Sequence, residues 1–278
     1  MTEFARRVLF AVPAAAGFLW VAWLGGAAFN AMFAVFALVI VFEMGRLFEQ
    51  GPSAGVLKGV SFLLAAGVLS IGLLDLPVPL WTLPASLAVL MVLYPLTARG
   101  PLAGPVGALL TGAYAPVAFV LLMDLRAQGG GAEGFFVILA VFMSIWGNDV
   151  FAYLGGRAIG KHKLAPRISP GKTWEGVAAG AIGAAVGFGI ALWAWTRSEA
   201  AAGGLSTAGG EGLAVLWPVI VLVSVFGPVG DLMESRLKRL SGVKDSSHLL
   251  PGHGGFFDRF DAALLCSPVV WTYLNLAY

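Results

Sequence analysis

The 278-residue chain has few charged residues and a single cysteine. Charged side chains make up 12% of the residues, about half of the roughly 25% that is usual in soluble domains. Hydrophobic residues make up 59%. So few charges cannot cover a water-soluble protein of this size, which excludes an ordinary soluble enzyme, a disordered chain and a nucleic-acid-binding protein with a basic face. The lone cysteine, Cys266, excludes an intrachain disulfide.

Long apolar stretches stand where charges are missing, and they predict an all-α, polytopic integral membrane protein built as a helical bundle. A helix needs about 20 apolar residues to cross the hydrocarbon layer. Because the stretches are continuous rather than alternating, they favour helices over a β-barrel. About nine transmembrane helices are predicted, with approximate ends at residues 8–24, 27–42, 57–74, 78–96, 104–123, 134–156, 174–196, 213–231 and 261–277.

The distribution of positive charge predicts how these spans are oriented. Nine spans divide the chain into ten segments that alternate between the two sides of the membrane. Of the 17 Lys and Arg residues, 15 fall on the side of the N-terminus, and Arg126 and Arg197 fall on the other. Because positive residues accumulate in cytoplasmic loops, we expect the N-terminus in the cytoplasm and the C-terminus outside.

Residues able to carry chemistry are concentrated in the second half of the chain. We therefore expect residues 1–125 to form N-terminal transmembrane helices and residues 126–278 to form a catalytic transmembrane region. Two cytoplasmic loops of that region, at residues 157–173 and 232–260, contain most of its polar side chains.

Asp149 is the first candidate functional residue. It ends an apolar run and lies eight residues before Arg157, which places it roughly 12 Å inside the basic loop if the segment is helical. An ionisable residue at such a depth is costly and is by default a functional candidate. The alternative is a carboxylate that is merely balanced by a neighbouring Lys or Arg.

The Gly171-Lys172-Thr173 triplet is similar to the end of a phosphate-binding P-loop. That motif needs a glycine five residues before Gly171, where this chain has Pro166, and a preceding strand, which is not predicted. We therefore reject the P-loop. Ser169 and Thr173 can still cap a helix start, and Lys172 adds positive charge, which together favour an anion such as phosphate. The alternative is a basic loop that follows the topology rule or contacts anionic lipid.

The loop before the last predicted span indicates a metal site. Asp258 and Asp261 are three residues apart, so on a helix their carboxylates share one face. Asp231 approaches from the end of the preceding span. Three carboxylates without cysteine partners suit a hard cation such as Mg²⁺. Gly254 and Gly255 are expected to let the backbone approach a ligand closely.

Basic residues surround these carboxylates, which fits a metal-bridged polyphosphate at the membrane face. Each residue also has a simpler interpretation. Asp258 could form a surface ion pair with Arg259, Asp261 could cap the last helix, and His253 could bond to the loop backbone. Within 31 residues of a charge-poor chain, however, the whole cluster favours function.

The same residues resemble the signature of the phosphatidate cytidylyltransferases, also known as CDP-diacylglycerol synthases. The run is Ser235-x-Leu237-Lys238-Arg239-x4-Lys244-Asp245-x-Ser247-x2-Leu250-Pro251-x-His253-Gly254-Gly255-Phe256-x-Asp258-Arg259-Phe260-Asp261. The upstream segments 161–166 and 169–176 and the pair Gly230-Asp231 resemble that family as well. The specific resemblance covers about residues 148–261, and the N-terminal spans match only in being hydrophobic.

This resemblance implies a nucleotidyltransferase of phospholipid biosynthesis that transfers a cytidylyl group from CTP to phosphatidic acid, giving CDP-diacylglycerol and pyrophosphate. It implies Mg²⁺ at Asp231, Asp258 and Asp261, with a monovalent cation such as K⁺ as a candidate second ion. It also implies a homodimer in the inner (cytoplasmic) membrane of a bacterium, in contact with membrane lipid and not with nucleic acid, whose active site faces the cytoplasm.

The expected roles divide into two overlapping sets. The expected catalytic residues are Asp149, Lys172, Lys244, Asp245, His253 and Arg259. The expected substrate-binding residues are Lys161, Ser169, Lys172, Thr173, Lys238, Arg239, Lys244, His253, Gly254, Gly255 and Arg259. The alternatives are another Mg²⁺-dependent membrane phosphotransferase acting on a lipid phosphate, a transporter with Asp149 and Asp231 as coupling sites, and a non-catalytic scaffold.

Overall fold

The computed structural model describes residues 3–47, 54–97, 104–128, 130–198, 215–247, 249 and 254–277, without the side chains of 3–11, 95–97 and 130. Within these ranges the chain forms nine long helices and one two-stranded sheet. The elements are α1 (Glu3–Leu24), α2 (Gly26–Leu47), α3 (Ala54–Leu73), α4 (Thr82–Thr97), α5 (Pro105–Gln128), α6 (Gly130–Ile159), β1 (Lys163–Ala165), β2 (Ser169–Thr173), α7 (Trp174–Thr196), α8 (Pro218–Leu240) and α9 (Phe257–Ala277).

The prediction of an all-α, polytopic membrane bundle is confirmed. Seven of the helices, α2, α3 and α5 to α9, are long and apolar enough to cross a membrane by length and composition. The other two, α1 and α4, contain shorter apolar stretches at Val12–Leu24 and Thr82–Tyr94. Each of the nine predicted spans overlaps one of these helices.

The helices extend further into the predicted loops than the sequence suggested. We expected a loop from residue 232, but α8 continues to Leu240, so the connection to α9 begins at Ser241. A lysine four residues after an acid supports a helix, and Lys238 pairs with Glu234 in this way. Similarly, α6 continues to Ile159, two residues past the expected start of the first loop.

A short hairpin corrects one detail of the sequence analysis. The prediction that no strand precedes the Gly171-Lys172-Thr173 triplet is wrong, because β1 precedes it and pairs antiparallel with β2, whose end the triplet forms. Strands of three and five residues are too short to give a clear periodic pattern. The rejection of a P-loop stands, since the triplet lies within a strand instead of a loop after one. Thr173 caps α7 and accepts a hydrogen bond from the Gly176 N–H at 3.1 Å.

Helix α5 forms the centre of the bundle and is buried along almost its whole length. It packs against α2, α3, α4, α6 and α9. Phe119 of α5 contacts Phe33 of α2 with ring centroids 4.7 Å apart, and Phe260 of α9 at 5.5 Å. These contacts hold α2 and α9 against α5 and so fix the two helices relative to each other.

Helices α6 and α7 form the most closely packed pair in the described structure. Gly183 and Gly187 of α7 lie directly against the backbone of Gly147 and Met143 on α6, where a Cβ would not fit. Small residues allow membrane helices to approach this closely. The pair holds Asn148 and Asp149 at a fixed position beside α8.

Arg126 lies at the end of the bundle opposite to most of the other basic residues, in agreement with the predicted division of charge. Arg126, at the end of α5, is buried and donates to the carbonyls of Ala22 at 2.8 Å and Trp23 at 3.1 Å. Asp124 accepts a hydrogen bond from Trp271 at 2.6 Å. The basic segments lie at the other end, with the final turns of α2, α6 and α8 and the first turn of α9. Which end faces the cytoplasm stays a prediction.

Candidate active site

Three carboxylates converge where α8 and α9 meet, at the end of the bundle that contains most of the basic residues. Oxygen atoms of Asp231 and Glu234 on α8 and of Asp261 on α9 all lie within 4.8 Å of one another. Asp231 and Glu234 share a face of α8 because they are three residues apart. Gly230 allows the crossing, since a Cβ there would lie 2.6 Å from the carbonyl oxygen of Asp261.

The group fits a hard divalent cation. Its donors are all carboxylate oxygens, which suit Mg²⁺. Glu234 is 2% exposed, and its Oε1 is paired with Lys238 Nζ at 2.6 Å. A buried carboxylate is costly unless a cation balances its charge. Carboxylates this close together also repel one another unless cations balance their charge.

Two lysines contribute to that balance. Lys172, from β2, places Nζ 2.6 Å from Asp231 Oδ2 and 3.3 Å from the Pro228 carbonyl oxygen. Lys238, one turn after Glu234, bridges Glu234 Oε1 at 2.6 Å and Asp258 Oδ1 at 2.7 Å. The hairpin therefore brings a positive charge to α8 from a distant part of the chain.

Asp258 lies beside the carboxylate group and is linked to it through Lys238. Its carboxylate also accepts hydrogen bonds from the Gly255 N–H at 2.7 Å and from the N–H and hydroxyl of Ser246 at 3.1 and 3.0 Å. Gly254 has a positive φ of 76°, and a Cβ there would lie 2.6 Å from Asp258 Oδ2. The structure thus brings Asp231 and Asp261 together with Glu234. Asp258 lies outside this group and is connected to Glu234 through Lys238.

Asp149 lies at the edge of the same group. It is exposed and close enough to Asp231 and Asp261 for electrostatic repulsion, and close enough to Lys172 and Arg259 for attraction. The preceding residue, Asn148, is buried, and its Oδ1 has no hydrogen-bond partner among the described residues. Asp149 therefore has both acidic and basic neighbours, and its functional role stays a prediction.

The remaining candidate residues occupy the same end with different degrees of exposure. Thr173 is buried as the cap of α7, and Ser169 is half-buried at the start of β2. Five others are exposed, namely Lys161, Arg239, Lys244, Asp245 and Arg259. Arg239 donates to the Val243 carbonyl at 3.4 Å. His253 lies outside the described residues.

One member of the carboxylate group and a second buried acid at the same end of the bundle were missed in the sequence. Glu234 was not among the predicted metal ligands, although it lies three residues after Asp231. Glu43 was overlooked because the predicted second span ended at residue 42, whereas α2 continues to Leu47. An acid in the last turns of an apolar helix is a functional signal by itself, and it could have identified Glu43.

A helical membrane bundle that gathers carboxylates and lysines at one end has the features of a membrane enzyme that acts on phosphates. The comparison with known families specifies this class further. The model of the cytidylyltransferase family matches residues 5–277, and the chain belongs to this family.

Named relatives agree with that assignment. The chain is 32% identical over 280 residues to the phosphatidate cytidylyltransferase of Brucella abortus, covering 98% of this chain and 94% of that protein. It is 44% identical over 136 residues to that of Haemophilus influenzae, covering 49% of this chain and 44% of that protein. It is 44% identical over 134 residues to that of Pseudomonas aeruginosa, covering 48% of this chain and 45% of that protein. The resemblance inferred from residues 148–261 is confirmed and extends over the N-terminal helices, and the alternative functions are not favoured.

Proposed function

We propose that this protein transfers a cytidylyl group from CTP to phosphatidic acid, releasing pyrophosphate and forming CDP-diacylglycerol. Family membership and the relatives' names support the reaction. The observation that carries the proposal is the convergence of Asp231, Glu234 and Asp261 within 4.8 Å beside two lysines. Such a site suits two phosphate-bearing substrates, one of which is a lipid.

In the proposed reaction an oxygen of the lipid phosphate attacks the α-phosphorus of CTP, and the bond to the β-phosphate breaks. The lipid phosphate is ionised near neutral pH, so positioning and charge neutralisation account for most of the catalysis. Asp231, Glu234 and Asp261 would hold the metal. Mg²⁺ bound there would supply neutralising charge to the nucleotide phosphates.

The basic residues would position both phosphates. Lys172 is half-buried at the carboxylate group, so it can reach phosphate there while it remains anchored by the Pro228 carbonyl. We propose that the exposed Arg239, Lys244 and Arg259 hold the pyrophosphate part of CTP and the lipid phosphate. Asp149, beside Asp231 and Asp261, is the proposed ligand of a second cation such as K⁺.

We also propose that the site end faces the cytoplasm of a bacterium, where CTP is available, and that the protein lies in the inner membrane as a homodimer. The excess of Lys and Arg at this end supports the orientation. The relatives named above are bacterial, which supports the location.

Pyrophosphate release by the purified protein tests the reaction. CTP, ATP, GTP and UTP would each be supplied with phosphatidic acid, with Mg²⁺ and with a chelator. Release that requires CTP, phosphatidic acid and Mg²⁺ together is expected, with radiolabelled CTP giving a labelled lipid. Equal release without phosphatidic acid, or no labelled lipid, would contradict the proposal.

A further inference from the structure

A buried glutamate on α2 holds the segment that joins α8 to α9. Glu43 is completely buried. Its two oxygens accept hydrogen bonds from the Phe256 and Phe257 N–H groups at 3.0 and 2.8 Å and from the Ser247 hydroxyl at 2.6 Å. The Ser246 hydroxyl lies 3.2 Å away. These groups lie at residues 246–247, after α8, and at residues 256–257, where α9 begins, although Glu43 is about two hundred residues distant in sequence.

The segment is shaped around this carboxylate. A Cβ on Gly255 would lie 2.6 Å from each oxygen of Glu43, so only glycine fits there without movement. A buried carboxylate is costly unless several hydrogen bonds satisfy it. Here the described donors to Glu43 all lie at residues 246–247 and 256–257, so the satisfied carboxylate and the positions of these residues depend on each other.

A continuous series of polar contacts leads from Glu43 to the metal-binding group. The Ser246 hydroxyl lies 3.0 Å from Asp258 Oδ2 as well as near Glu43, and its single proton can serve either carboxylate. Asp258 pairs with Lys238 at 2.7 Å, and Lys238 pairs with Glu234 at 2.6 Å. Displacement of the segment would therefore move the partners that orient Glu234.

We propose that Glu43 is a positioning residue for the reaction: it fixes Ser246, Ser247 and residues 255–257 so that Asp258 and Lys238 hold Glu234 in its cation-binding position. This inference rests on the proposed function, because it assumes that Asp231, Glu234 and Asp261 bind Mg²⁺. Residues that orient metal ligands contribute roughly 10–100-fold in metal affinity or activity.

Glu43→Gln is the direct test. The side chain keeps its size, but an NH₂ group replaces one carboxylate oxygen. That NH₂ group cannot accept the hydrogen bonds that backbone N–H groups and serine hydroxyls donate to Glu43. We expect the Mg²⁺ concentration for half-maximal pyrophosphate release to rise about tenfold or more. Turnover at saturating Mg²⁺ should fall by a smaller factor, a split that general loss of stability would not produce.

Asp124→Asn is the matched control. It is the same acid-to-amide change, it disturbs hydrogen bonds with Trp271 and Gln128, and it lies at the opposite end of the bundle. The control should lower the thermal unfolding midpoint without changing the Mg²⁺ requirement. A folded Glu43→Gln protein whose Mg²⁺ requirement stays within twofold of the wild type would overturn the inference.

If Glu43→Gln cannot be purified as a folded protein, Ser247→Ala provides the test of the inference. It removes one hydrogen bond of 2.6 Å and leaves the carboxylate in place. Its Mg²⁺ requirement should rise in the same direction by a smaller factor, and an unchanged requirement refutes the inference. A wild type without Mg²⁺-dependent release from CTP and phosphatidic acid is a different result, because it contradicts the proposed function itself.

Discussion

Replacement of Asp261 by asparagine should abolish most of the activity while the protein still folds. The change keeps the shape of the side chain and removes one of three negative charges that lie within 4.8 Å of one another. Asp261 also accepts a hydrogen bond from the Ala262 N–H at 2.7 Å, which an amide oxygen can still accept. The loss is therefore mainly electrostatic.

The separation of the carboxylates gives the expected magnitude. Two unit charges 4.8 Å apart interact by about 3.5 kcal/mol at an effective dielectric constant of about 20. Removal of the Asp261 charge would weaken the attraction for a divalent ion in direct contact by more than this. Part of that loss is offset, because Asp231 and Glu234 are no longer repelled by Asp261. A net loss near 3 kcal/mol corresponds to a decrease in turnover of at least about a hundredfold, since about 1.4 kcal/mol is tenfold.

The assay is pyrophosphate release from CTP and phosphatidic acid over a range of Mg²⁺ concentrations. Asp75→Asn is the matched control, because Asp75 lies in a turn between α3 and α4 with a φ of 49°, a conformation that asparagine also adopts. This control should retain wild-type turnover. If Asp261→Asn shows near-wild-type turnover and an unchanged Mg²⁺ requirement, the metal assignment is incorrect.

Three further predictions follow from other contacts. Lys172→Ala should raise KM for CTP or phosphatidic acid at least tenfold in steady-state assays, because Asp231 loses its ion-pair partner at 2.6 Å and the phosphates lose a cation. Unchanged kinetics would contradict the role of Lys172. Arg126→Ala should destabilise the protein by about 1–3 kcal/mol, because the carbonyls of Ala22 and Trp23 lose their donor. Thermal unfolding in detergent measures that effect, and KM for CTP should stay unchanged. Lys58→Ala, on α3 and outside both polar loops in sequence, should leave turnover within about twofold of the wild type. A large loss would show that charge used for topology had been confused with charge used in the site.

The membrane fold could be read from the sequence because hydropathy alone determines which segments can be helices in a bilayer. The positions of the nine helices follow from apolar length, and the separation of Arg126 and Arg197 from the other basic residues follows from the alternation of loops. The continuation of α8 to Leu240 was missed, because hydropathy ends a span at its first charges, whereas the helix continues through the Glu234–Lys238 pair. The hairpin of β1 and β2 was missed because eight residues carry too little pattern.

The site was predictable only as a set of candidate residues. Spacing places Asp258 and Asp261 on one face of a helix, but it cannot show that the Gly254-Gly255 turn directs Asp258 toward Ser246 and Lys238. The approach of Glu43 depends on tertiary packing between α2 and α9, which a single sequence does not reveal. Glu234 illustrates the same limit, since an acid near cations has identical spacing whether it balances charge or binds a metal.

The central position of α5 has a consequence for protein engineering. Its side chains contact other helices, whereas large apolar residues such as Val56 and Leu63 of α3 and Ile182 and Trp193 of α7 are exposed on the outside of the described bundle. A water-soluble redesign would therefore replace the outward residues of α3 and α7 with polar ones and leave α5 unaltered.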